Sequence, residues 1–285
     1  MASPAGHPAD AQWPAWTVAV GLVAGGLGGQ IAATLVIAPL AIGGAGSGDV
    51  TGVGMLLASA AFGAALLATI ALLVRRTQPL SASALGLRRA ALGPALAWVA
   101  LAGALIAAFV FFWAHVVDLS SWFSVPSELD GRTSLAEQLG VGRPPEQADP
   151  GVGAIASALG RVVVPAVLAE VVLRGFALQA LARWRGELVA LAITSFLTLA
   201  PAGFAIDASG GGATLLPICL LLGGALGILF RLTDSLLPGI ALSAIVMGAG
   251  LGASFAWSAA GVALLAAACG AAALALALPL ALRRA

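Results

Sequence analysis

The sequence has no lysine, two histidines, two cysteines and charged residues at only 9% of its 285 positions. Each scarcity narrows the possible functions. Soluble domains carry about 25% charged residues. A chain that is 61% hydrophobic, with a mean hydropathy of +1.06, therefore has lipid rather than water as its solvent. All 13 basic residues are Arg, which reads as a compositional bias toward Ala, Gly and Arg rather than as a functional device. The net charge of +1 comes with no concentrated basic face for phosphate, which argues against nucleic acid as a partner. Metal hydrolysis is also poorly provided for, since zinc takes about three His, Cys or carboxylate ligands and an open position for water. His7 lies in the N-terminal tail, and His115 ends an apolar run between Trp113 and Trp122, the setting of an interfacial residue. Cys219 and Cys269 sit inside apolar runs, where a thiol behaves as a small hydrophobe. The first fifteen residues hold no Arg, unlike the basic start of a secretory signal, so no cleavage is expected.

What the chain has in abundance is apolar runs, at about 16–42, 52–74, 92–117, 157–181, 187–206, 213–230, 235–253 and 257–281. A hydrocarbon core of roughly 30 Å needs about 20 apolar residues per helix. Lipid offers backbone groups no water to bond, so such runs must be helices. The fold class is all-α, a polytopic transmembrane helical bundle of about eight helices. The expected division is a cytoplasmic tail at 1–15, helices one to three at 16–118, an external polar loop at 119–156, a core of helices four to seven at 157–253, and a last helix with a cytoplasmic end at 254–285. Arg75, Arg76, Arg88, Arg89, Arg183, Arg185, Arg231, Arg283 and Arg284 fall on one side of this threading, with Arg132, Arg143 and Arg161 opposite. The positive-inside rule then puts both termini of a multi-pass cell-membrane protein in the cytoplasm. The Gly-rich stretches at 43–48 and 210–212 read as external loops, and neither runs into the Lys-Ser/Thr of a phosphate-binding loop. Gly21, Gly25 and Gly29 repeat every four residues, as do Gly223 with Gly227 and Gly248 with Gly252. Such faces let helices pack closely, here within the bundle.

Inside the spans one carboxylate, Glu170, and one deeply placed cation, Arg174, lie four residues apart and share a helix face. A charge in hydrocarbon costs at least about 2.5–3.5 kcal/mol on insertion scales, so the pair should face the bundle interior and each other. Charge alone leaves two readings open, a polar site or an ion pair that orients the helix.

The residues around the pair carry a resemblance. Ala169-Glu170-Val171-Val172-Leu173-Arg174-Gly175-Phe176 resembles the E-E-x-x-x-R-G-F helix of the CPBP intramembrane proteases, the CAAX-protease and bacteriocin-processing (ABI-type) enzymes. Ser195 to Ala200 stands where the family has F-x-x-x-H. The stretch from Gly223 to Ile240 resembles the approach to its last motif, H-x-x-x-N. Ala84 to Arg89, before a span, is also similar to the family's N-terminal half.

The resemblance implies a glutamate and histidines on three helices that activate water inside the membrane to cut a peptide bond. Carried over by position, the first Glu of the family is Ala169, while Glu170 and Arg174 are retained. The second-motif His is Ala200, and the His and Asn of the last motif are Ser243 and Met247. The implied protein is a degenerate, noncatalytic member, with no cofactor, that binds or scaffolds another membrane protein or peptide segment in the lipid bilayer. Two alternatives stay open. One is an active CAAX-type protease using other residues, the only case that would call for zinc. The other is a transporter component, for which the polar inventory is thin. Glu170 as a lone general base would be paired with Arg174, which lowers its basicity. Ser243 lacks the adjacent base that a serine nucleophile needs.

Overall fold

The computed structural model describes residues 13–42, 50–77, 81–88, 90–117, 162–198, 212–254 and 259–282. Among these, eight helices follow one another and there is no strand. They are α1 (Trp16–Ile42), α2 (Val50–Val74), α3 (Leu92–Val117), α4 (Val162–Arg185), α5 (Glu187–Leu197), α6 (Gly212–Thr233), α7 (Leu236–Ser254) and α8 (Ala259–Leu282). Five are long and apolar enough to cross a membrane: α1, α2, α3, α4 and α8. The apolar stretches of α5, α6 and α7 are shorter.

Two helix ends differ from the sequence expectation. α4 continues to Arg185, so Arg183 and Arg185 form its last turn rather than a loop, and Gly186, at φ +87°, ends it in a conformation that L side chains avoid. α5 ends at Leu197 with Thr198 in a turn, and the remainder of the expected run to 206 lies outside the described residues. The expected external loop at 119–156 lies outside them as well.

The glycine stripes do the packing. The position of a Cβ on Gly21 lies 3.1 Å from Ile70, on Gly25 2.5 Å from Leu66, and on Gly29 2.7 Å from the Phe62 ring. The partner falls by four as the glycine rises by four, so α1 and α2 are antiparallel along one seam. Gly223 meets Ser195 and Gly227 meets Leu191, which seats α6 against α5 in the same antiparallel sense, and Gly248 meets Cys269 on α8. Between helices there is little net hydrophobic drive in lipid, and close backbone approach supplies dispersion contacts instead. α3 closes the other side, where Ile106 packs with Leu226 and Leu229 of α6 and Leu242 of α7.

The outer surface carries Val23, Leu27, Ile31 and Leu35 on α1, and Leu96, Leu101, Leu105 and Phe112 on α3, all exposed. An apolar surface this extensive suits hydrocarbon and not water. In α4 the distribution reverses: 72% of its span is buried, against 17% in α1 and 11% in α3. The motif helix is thus the axis of the bundle.

Candidate functional site

The retained motif lies in an irregular part of α4. From Glu170 to Ala177 the helix widens into a π-turn, and just beyond it the Leu178 N–H still reaches five residues back to the Leu173 carbonyl. All eight residues of that stretch are buried. π-turns are frequent at functional sites. Gly175 makes the turn's close contact, because a Cβ there would lie 2.9 Å from the Leu85 carbonyl oxygen. The segment 81–88 is tied down beside it by three further bonds. Gln179 Nε2 donates to the Ala84 carbonyl at 3.0 Å, the Leu236 N–H donates to Gly86 at 2.9 Å, and Ser235 Oγ donates to Arg88 at 2.6 Å. Gly86 itself sits at φ +82°, and a side chain there would strike the Phe230 ring.

Within the turn, Arg174 Nη1 donates to Glu170 Oε1 at 3.1 Å, the ion pair that the four-residue spacing implies. The guanidinium then continues outward, with Nη2 donating to Thr198 Oγ1 at 2.9 Å and to the Gly223 carbonyl at 3.0 Å. One side chain therefore links α4, the end of α5, and α6. Thr198 in turn donates to the Thr194 carbonyl at 2.9 Å. Glu170 and Arg174 are 1% and 0% exposed, so each hydrogen bond here replaces one that water cannot make. The second carboxylate oxygen, Oε2, has no hydrogen-bond partner among the described residues. It faces α7, 2.9 Å from where a Cβ on Gly239 would stand.

Ala169, half-buried, precedes the turn. Ser243 is buried on α7, one helical turn beyond Gly239, and Met247, half-buried, follows one turn later against the main core. The Glu170–Gly239 and Gly175–Leu236 approaches run in opposite senses along α4 and α7. Ser243 and Met247 accordingly continue away from the carboxylate along the face of α7 that meets α4. Ala200, His7 and the side chain of His115 lie outside the described residues. Among the described residues no three His, Cys, Asp or Glu side chains come together.

Thr198, Gly223, Gly239 and Gln179 complete the site and were not singled out for it from sequence. A threonine, a glutamine and two glycines carry no chemical signature of a site by themselves. The signal that could have found them is that Thr198, Gly223 and Gly239 fall within the two stretches similar to the family's second motif and the approach to its last. Comparison with curated proteins and with solved structures found no match. A family model does match, over residues 151–249, and its description is type II CAAX prenyl endopeptidase Rce1-like. That segment includes α4, α5, α6 and the part of α7 that faces Glu170, which are the helices that build the charged site. The chain is thus a helical bundle with five described helices long and apolar enough to cross a membrane, and its residues 151–249 are similar to the Rce1-like CAAX prenyl endopeptidases.

Proposed function

We propose that this chain is a noncatalytic CAAX-protease-like protein, which keeps the fold and uses the space around the old site to hold a segment of another membrane protein. The observation that carries this reading is the use made of Arg174. It occupies Glu170 Oε1 and spends its other terminal nitrogen on Thr198 and the Gly223 carbonyl, so the charged pair acts as a strut between helices. Peptide hydrolysis needs a group that takes a proton from water and a group that returns one to the leaving amine. The positions corresponding to those groups are Ala169, Ala200 and Ser243. No resident metal belongs to this reading. The cation beside Glu170 is already the Arg174 guanidinium, which is held in turn by the Thr198 hydroxyl and the Gly223 carbonyl, and a metal ion there would meet like charge. The same reading places the chain in the cell membrane with both termini cytoplasmic.

The test is cleavage of a CAAX-type prenylated peptide by the purified protein in lipid nanodiscs, together with photo-crosslinking from position 247 in native membranes. The expected outcome is no turnover above that of Glu170→Gln, and one discrete membrane-protein adduct from position 247 that is missing from the outward-facing position 27. Turnover that disappears in a well-folded Glu170→Gln protein would establish the opposite reading, an active protease in which Glu170 works with residues other than those at the replaced motif positions.

A further inference from the structure

Away from the charged site, a groove of about 700 Å³ runs between the start of α1, the end of α4 and α5. Trp16, Ala19, Leu22, Leu181, Trp184 and Ile193 line it. The volume is within the range of roughly 300–1,000 Å³ typical of sites that hold one small molecule. Its walls are almost wholly carbon, and Trp16 and Trp184 flank it at 57% and 55% exposure. Tryptophans in such positions mark the level where acyl chains give way to headgroups. Directly above the Trp184 ring, 4.7 Å from its centre, lies the guanidinium of Arg185.

Charge at this end of the bundle is mostly positive among the described residues, with Arg75, Arg76, Arg88, Arg183, Arg185 and Arg231 against Glu187 and Asp234. Arg75 and Arg76 are exposed just past the end of α2, beside the start of α1. The nearby acid on α5, Glu187, is engaged by Arg231 at 3.4 Å. A carbon-lined groove that ends at a tryptophan and a stacked arginine complements an acyl chain that ends in a phosphate. We propose that the groove binds a single anionic phospholipid from the surrounding bilayer. One acyl chain lies against Leu22, Leu181 and Ile193, and the phosphate takes the two-pronged hydrogen bonds that a guanidinium offers.

Native mass spectrometry of the full chain tests this, after delipidation and titration with phosphatidylglycerol or phosphatidylcholine. The wild type retains one phosphatidylglycerol in preference to phosphatidylcholine. Arg185→Gln lowers that retention about fivefold, the weight of one basic residue at an anionic surface. Ala19→Trp, at an exposed position in the groove, abolishes it while the melting temperature holds. Replacing Arg75 and Arg76 together by Gln, at the same end but in the turn after α2, which forms none of the groove's walls, leaves retention within twofold. Three results overturn the proposal: equal retention of the two lipids, retention that survives Ala19→Trp, or a loss in the Arg75/Arg76 variant as large as that in Arg185→Gln.

Discussion

Arg174 is a buried charge whose two terminal nitrogens have named partners, so its removal has a calculable sign. Arg174→Leu leaves the Glu170 carboxylate alone in the bundle, 1% exposed, with neither oxygen paired by a cation. Breaking one end of a buried pair costs about 3–5 kcal/mol, whereas exchanging both ends for apolar groups is often close to neutral. The double variant Glu170→Leu/Arg174→Leu is therefore expected to fold in higher yield than Arg174→Leu alone, read as the monodisperse fraction after detergent extraction. A single variant that equals or exceeds the double would show that the pair does not carry the charge balance of the site.

At the scale of the helix, the α1–α2 seam offers two neighbouring glycines with opposite surroundings. A Cβ at Gly29 would lie 2.7 and 2.9 Å from the Phe62 ring and 3.0 Å from the Phe62 carbonyl, while at Gly26 it would meet nothing within 4 Å. Overpacking of this kind costs about 1–3 kcal/mol. At an open helical position Ala is favoured over Gly by up to about 1 kcal/mol. Gly29→Ala should thus lower the melting temperature and Gly26→Ala should hold or raise it, and equal responses would dissolve the seam. The stripe itself was legible in the sequence, because four-residue spacing is a helix period and glycine is the residue that lets backbones touch. Its partner helix was not legible. α1, α2, α7 and α8 are apolar on every face, so no hydrophobic side points toward a neighbour. The π-turn escaped for a related reason: a run of Val, Leu and Phe fits an i→i+4 ladder as well as an i→i+5 one, and only the fit around Gly175 and Arg174 selects the wider form. The charged pair was readable because two ions in an apolar run have few alternatives to each other. Thr198 and Gly223 were not, since their role depends on how α5 and α6 are set against α4.

For the molecule as a whole, the packing gathers arginines at one end. Gly21 of α1 meets Leu73 of α2 and Phe176 of α4, while Gln179 and Leu236 both bond to the segment 81–88. Arg75, Arg76, Arg88, Arg183, Arg185 and Arg231 therefore share one face of the bundle, which is the asymmetry the positive-inside rule reads. Reporter fusions at Arg284 and near Ser134 should report the cytoplasmic and external sides respectively. The same side for both would mean that one span fewer or one more is threaded. The Arg174 strut also fixes an order of events while the chain is being made, since synthesis runs from N- to C-terminus. Glu170 emerges four residues ahead of the arginine, so the positive charge enters the bilayer with its counter-ion already beside it. Thr198 follows 24 residues later and Gly223 49 residues later. Until the ribosome has delivered α6, the guanidinium is short of one acceptor, although α4 can already meet α1 and the segment 81–88. The last of those bonds acts as a latch on nascent-chain assembly, closed only when three consecutive helices, α4, α5 and α6, have come together.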